Sequence, residues 1–106
     1  MHVENRTGDP AANPYLYLAS QVASGLDGMR RELDPGEPAE EPYRADATPL
    51  PASLMDAVAA LKSDAFFREA FGDTFVDYVL RLKGFEIGRF LQHVTDWEHR
   101  EYFEMY

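Results

Sequence analysis

Glu4-Asn5-Arg6-Thr7-Gly8-Asp9-Pro10-Ala11-Ala12-Asn13-Pro14-Tyr15-Leu16-Tyr17-Leu18 runs from an extended segment through a turn into a helix, and it carries the one compact polar constellation of the sequence. Side chains at i and i+2 of an extended segment leave the same face, whereas in a helix they would point about 200° apart. Glu4 and Arg6 therefore project together, a carboxylate beside a guanidinium. Thr7-Gly8-Asp9-Pro10 is a turn signal that ends the strand and redirects the chain. Asn13 is the expected N-cap with Pro14 at the first helical position, where proline's missing N–H costs nothing and its φ already suits a helix.

Outward from this stretch the sequence reads as helices and one link. Leu16, Ala19, Val22, Ala23, Leu26 and Met29 recur at three- and four-residue steps and predict a helix over 14–33 with one apolar stripe. Gly25 and Gly28 each lower helix propensity by ~1 kcal/mol relative to alanine, which implies close approach by another backbone. Tyr15 and Tyr17 could face substrate, but packing, buried or half-buried, is the expectation. Pro35, Pro38, Pro42, Pro49 and Pro51, with Glu37, Glu40 and Glu41, can sustain neither a helix nor a central strand, so 34–52 is a surface link. Its glutamates have no fixed geometry and read as solvated.

The second half alternates caps and stripes. Ser53 with Asp56 makes a capping-box start for a helix through Lys62 carrying Leu54, Ala57, Val58 and Leu61. A short helix beginning at Ser63 or Asp64 presents Phe66, Phe67 and Phe71 and stops at Gly72. Asp73 is expected to cap the longest helix, about 74–93, in which Gly84 and Gly88 form a small-residue ridge suited to tight packing. Thr95-x-x-Glu98 predicts a capping box for a last helix bearing Trp97, Tyr102 and Phe103.

Composition narrows the function classes. The chain has 106 residues, room for one domain, and a net charge of −9. Its ten basic residues are scattered, which argues against nucleic acid or an anionic membrane as partner. With no cysteine, disulfides, thiolate metal sites and a cysteine nucleophile are excluded, and a cytoplasmic location is expected. No apolar run approaches the ~20 residues of a membrane span, and no basic start followed by an apolar block suggests a signal peptide. Val3 falls mid-strand with no preceding turn, so Met1 reads as an arbitrary start inside an element. His93 and His99 lack a second ligand at a metal-compatible spacing.

Glu4-x-Arg6, then Asp9-Pro10-Ala11-Ala12-Asn13-Pro14-Tyr15-Leu16, then Ser24-Gly25-Leu26-Asp27-Gly28, resembles the C-terminal part of the glutamine synthetase catalytic domain. The likeness is sharpest from Val3 to Gly28 and covers the whole chain in outline. It implies a mainly α fold: the helical C-terminal portion of an α+β catalytic domain, with an N-terminal strand remnant, divided into 1–33, 34–52 and 53–106. The activity implied is ATP-dependent ligation of glutamate to ammonia or an amine through a γ-glutamyl phosphate. Carried over residue by residue, Glu4 would be a ligand of Mg²⁺ or Mn²⁺, and Arg6 would bind the substrate carboxylate or the transferred phosphoryl group. His2 stands where relatives often carry a nucleotide-binding arginine, and the departure assigns it to the surface. Val94-Thr95-Asp96-Trp97-Glu98 with Tyr102 is similar to the branch that uses amines and polyamines.

The implied partners are the rest of the catalytic domain and, for the aromatic tail of Trp97, Tyr102, Phe103 and Tyr106, further copies in a homo-oligomer. The chain alone is expected to be inactive and to bind neither metal nor ATP tightly, since one carboxylate does not hold a catalytic metal. Other readings stand beside this one. Without the surrounding string, Glu4 and Arg6 would be a surface ion pair worth ~0–1 kcal/mol. A free-standing helical interaction module of the same ancestry would keep the sequence without the chemistry. Helices that normally pack on the rest of an enzyme would expose apolar faces and self-associate.

Overall fold

The structure, a computed structural model, describes residue 2, residues 4–38, residue 40 and residues 48–105. Of the residues with a sequence-based expectation, Met1, Val3, Glu41, Pro42 and Tyr106 lie outside the described residues. The chain divides into two units, Met1–Ala47 and Thr48–Tyr106, with the boundary inside the Pro-rich link.

The first unit is an extended N-terminal segment followed by α1 (Pro14–Arg30). Asn13 has extended backbone, and its side chain accepts from the N–H groups of Tyr15 and Leu16 at 3.0 and 3.2 Å, satisfying two of the donors that a helix start leaves free. The helix stops at Arg30 rather than at Leu33 because the chain turns there. The Leu33 N–H donates to the Gly28 carbonyl and the Glu32 N–H to the Met29 carbonyl, at 3.0 and 3.2 Å, the two bonds of a Schellman stop. Glu32 takes the left-handed position at φ 50°, where glycine is usual.

The strand expected around Glu4 is extended but unpaired. Among the described residues no β-ladder forms, because a strand needs a neighbouring backbone to receive its N–H and C=O groups. The mainly helical fold holds. Nor do Gly25 and Gly28 mark a close approach among the described residues, since a Cβ built at either would meet none of them within 4 Å.

In the second unit α2 (Leu54–Ser63), α3 (Ala65–Phe71), α4 (Asp73–Leu91) and α5 (Trp97–Tyr102) come one after another. Ser53 caps α2 by accepting from the Asp56 N–H at 3.1 Å, while its hydroxyl donates to the Asp56 carboxylate at 2.7 Å. Asp64 caps α3 through the Phe67 N–H at 3.0 Å, and Gly72 ends it at φ 84°. Asp73 is not the cap of α4: Gly72 is, and Asp73 sits in the first turn, where its carboxylate accepts from Arg68 at 3.0 Å. Arg68 also reaches Asp77 at 2.9 Å, so one guanidinium spans the corner between α3 and α4. Those two contacts, Asp73 first, raise the Arg68 pKa above its ordinary value against an opposing effect of burial.

α4 packs against α2 and α3. Val76 is buried at the centre, with Ala57, Val58, Leu61, Phe67, Phe71 and Leu80 half-buried. Phe67 stacks on Phe71 at 6.1 Å between ring centroids, and Phe71 meets Phe75 at 6.0 Å. Among the described residues the glycine ridge does not pack, for a Cβ at Gly84 or Gly88 would meet nothing within 4 Å. α4 ends at Leu91, so Val94 lies beyond it and is exposed. α5 has Asp96 at its N-cap and no side-chain cap bond, so the expected Thr95 box does not form. Trp97 and Tyr102 meet edge to face at 6.0 Å but stay exposed, as does Phe103.

Candidate functional site

The alternation of an extended backbone sorts the N-terminal side chains onto two faces. On one face Arg6 Nε donates to Glu4 Oε1 at 3.0 Å and Nη2 donates to Oε2 at 3.1 Å, a two-pronged pair in which both side chains stay open to solvent. On the other face Asn5 turns toward the helix, its Nδ2 donating to Gln21 Oε1 at 2.8 Å. Asn5 Oδ1 accepts from the Thr7 N–H at 3.0 Å and from the Thr7 hydroxyl at 2.7 Å. Sequence and structure therefore agree that Glu4 and Arg6 lie together.

The residues just C-terminal to the pair anchor it. Asp9 forms a local turn, its carboxylate accepting from the Ala11 N–H at 2.7 Å and its carbonyl from the Ala12 N–H at 3.0 Å. Gly8 lies against the ring of Tyr17, and a Cβ there would sit 3.0 Å from the Tyr17 Cζ. Tyr17 is thus half-buried while Tyr15 is exposed. Arg6, Asn5, Asp9 and Tyr17 border an open hollow of about 410 Å³.

Asn5 and Gln21 were not among the residues that the sequence nominates, whereas Tyr17 packs as expected and Tyr15, expected to pack as well, does not. The signal was available for Asn5: if its neighbours at 4 and 6 face outward, an extended chain turns 5 inward. Gln21 is set by tertiary contact and carries no local mark. His93 and His99 are exposed, and His99 lies against Phe103 at 4.7 Å between ring centroids.

This extended pair, Asx turn and Asn-Pro-capped helix lie within a region, residues 1–102, that matches the family described as "Glutamine synthetase, catalytic domain". The chain belongs to the glutamine synthetase family. Its relatives include the gamma-glutamylanilide synthase of an Acinetobacter species, 46% identical over 97% of this chain and 23% of that protein. The glutamine synthetase of Archaeoglobus fulgidus is 36% identical over 99% of the chain and 23% of its own length. The glutamate–methylamine ligase of Methyloversatilis universalis is 37% identical over 98% and 25%. The chain therefore spans about a quarter of these relatives. No solved structure matches it significantly.

Among the described residues no three His, Cys, Asp or Glu side chains converge. Glu4 offers one hard anionic oxygen donor, and although Arg6 engages both of its oxygens, a carboxylate has further lone pairs to give. One carboxylate is a fitting contribution to an Mg²⁺ or Mn²⁺ ion that keeps several waters. It is a contribution, not a site. Among the described residues no helix is long and apolar enough to cross a membrane.

Proposed function

We propose that this chain supplies one wall of the active site of a ligase that joins the γ-carboxylate of glutamate to an amine or ammonia, with Glu4 as one ligand of a divalent metal and Arg6 as the cation facing substrate. The observation that carries this reading is the outward-facing, solvent-open pair of Glu4 and Arg6 within the stretch that matches the family. An amine as nucleophile is favoured by the names of two relatives, an anilide synthase and a methylamine ligase.

Arg6 presents a planar fork of donors that fits a carboxylate or phosphoryl group on two prongs. In the free chain Glu4 occupies that fork. An exposed pair is worth only ~0–1 kcal/mol, so an incoming anion exchanges for Glu4 at little cost and frees the carboxylate for other work. The chemistry is two transfers. A γ-carboxylate oxygen takes the terminal phosphoryl group of ATP and ADP leaves; the amine nitrogen then attacks the acyl carbon, loses a proton, and phosphate departs. Arg6, with its charge fixed in advance, stabilises the negative charge that shifts onto the phosphoryl oxygens in both steps. A divalent metal, when bound, supplies further neutralisation there.

The remaining ligands and the nucleotide contacts would come from the other three quarters of a relative-length protein. The purified chain, given ATP, Mg²⁺, glutamate and methylamine or aniline, is accordingly expected to release no phosphate above a protein-free control. In a hybrid, this chain replaces the matching segment of the Acinetobacter relative. There R6K and E4Q are each expected to lower kcat/KM by roughly 10²–10³-fold. Turnover by the chain alone, or a hybrid indifferent to R6K, would overturn the proposal.

A further inference from the structure

We infer that Asn5 and Gln21 are positioning residues, a side-chain clasp that fixes the reactive face of the 4–6 segment by holding its opposite face on α1. The inference rests on the proposed roles of Glu4 and Arg6 and adds two residues to them. Three observations converge. Asn5 links segment and helix, donating to Gln21 across sixteen positions at 2.8 Å. The same side chain accepts both Thr7 donors, so it also fixes the backbone on the far side of Arg6. Gly8 continues the attachment beside Tyr17, where a Cβ would sit 3.0 Å from the ring's Cζ, so any larger residue would force the ring aside. Because the segment has no β-ladder among the described residues, these contacts are what set which way its alternate side chains point.

The chemistry of two amides yields a pattern that general destabilisation would not. Either amide can present a donor or an acceptor by turning about its terminal bond. In N5D the new carboxylate still accepts from Thr7, and Gln21 can turn its NH₂ toward it. In Q21E the carboxylate still accepts from Asn5. Each single variant keeps a complementary pair. N5D/Q21E sets two carboxylates against each other and has no donor left, whereas N5D/Q21K restores an attraction.

The test reads backbone order in the full 106-residue chain by ¹⁵N relaxation at Arg6 and Thr7, with the helicity of α1 monitored in parallel. Wild type, both single variants and N5D/Q21K are expected to keep order parameters near ~0.85, and N5D/Q21E to fall below ~0.6 with α1 still helical. Equal order in all five chains would overturn the inference, as would loss of order in both singles or no rescue by lysine. In the ligase hybrid, N5D/Q21E is expected to lower kcat roughly 10- to 100-fold beyond the product of the single effects. A hybrid that responds to R6K but not to N5D/Q21E refutes the clasp alone. A hybrid indifferent to R6K refutes the ligase reading while leaving the relaxation result to stand by itself.

Discussion

At the scale of single residues, two backbone positions show how far conformation outweighs contact. Gly72 has φ 84° and ψ 147°, a region essentially closed to side chains, and a Cβ built there would meet nothing within 4 Å among the described residues. G72A is therefore expected to destabilise the chain by about 1–3 kcal/mol, all of it from the backbone, measured as a shift in the urea midpoint at constant slope. Glu32 is the converse, a side-chain-bearing residue at φ 50° in the position where helices favour glycine. E32G should stabilise α1 by roughly 0.5–1 kcal/mol, read from the thermal transition. Both residues stop a helix, yet the sequence announced only one of them. Glycine is a visible terminator, whereas a glutamate forced left-handed by two Schellman bonds looks like any other helix former.

At the scale of elements, helix starts were legible wherever the cap is made by neighbours in sequence. Asn13 with Pro14 and Ser53 with Asp56 cap as their spacing predicts, and of the two starts left open for α3, Ser63 and Asp64, it is Asp64 that caps. N13A is accordingly expected to cost about 1 kcal/mol of α1 stability, visible as lost helicity on heating. Where a competing partner lies close, the local rule gave way: Asp73 turns to Arg68 instead of capping α4. Arg68 also gives a pH expectation. A group whose pKa is raised on folding contributes stability below its unfolded value and loses it only as the pH climbs through the folded one, here beyond the ordinary arginine range. The stability difference between wild type and R68M should therefore stay flat from about pH 7 to about pH 10. A difference that shrinks across that interval would mean that the contribution depends on another titrating group. Of the site, the pairing of Glu4 with Arg6 was readable from their spacing, while the attachment of Asn5 to Gln21 was not, because periodicity describes faces and not the partners they meet.

On the scale of the whole molecule, the apolar stripes that predict helices exceed what the described contacts cover. Val22 and Met29 on α1 are 61% and 69% exposed, and Phe85 and Phe90 on α4 are 63% and 72% exposed. Bare apolar surface of this kind drives association. Light scattering is expected to give a mass above the 12.1 kDa of one chain and rising with concentration; a constant monomer mass would mean that these side chains are tolerated in water. The net charge of −9 opposes such association, so added salt should strengthen it by screening. The contact between Gly8 and the Tyr17 ring has one more consequence. The α-protons of that glycine sit in the magnetic shadow of an aromatic ring, so their resonance is displaced from where glycine ordinarily appears. That single line can be watched as this chain is joined to a larger protein: it keeps its displacement while the segment lies on its helix, and returns to the crowd once the segment lifts away.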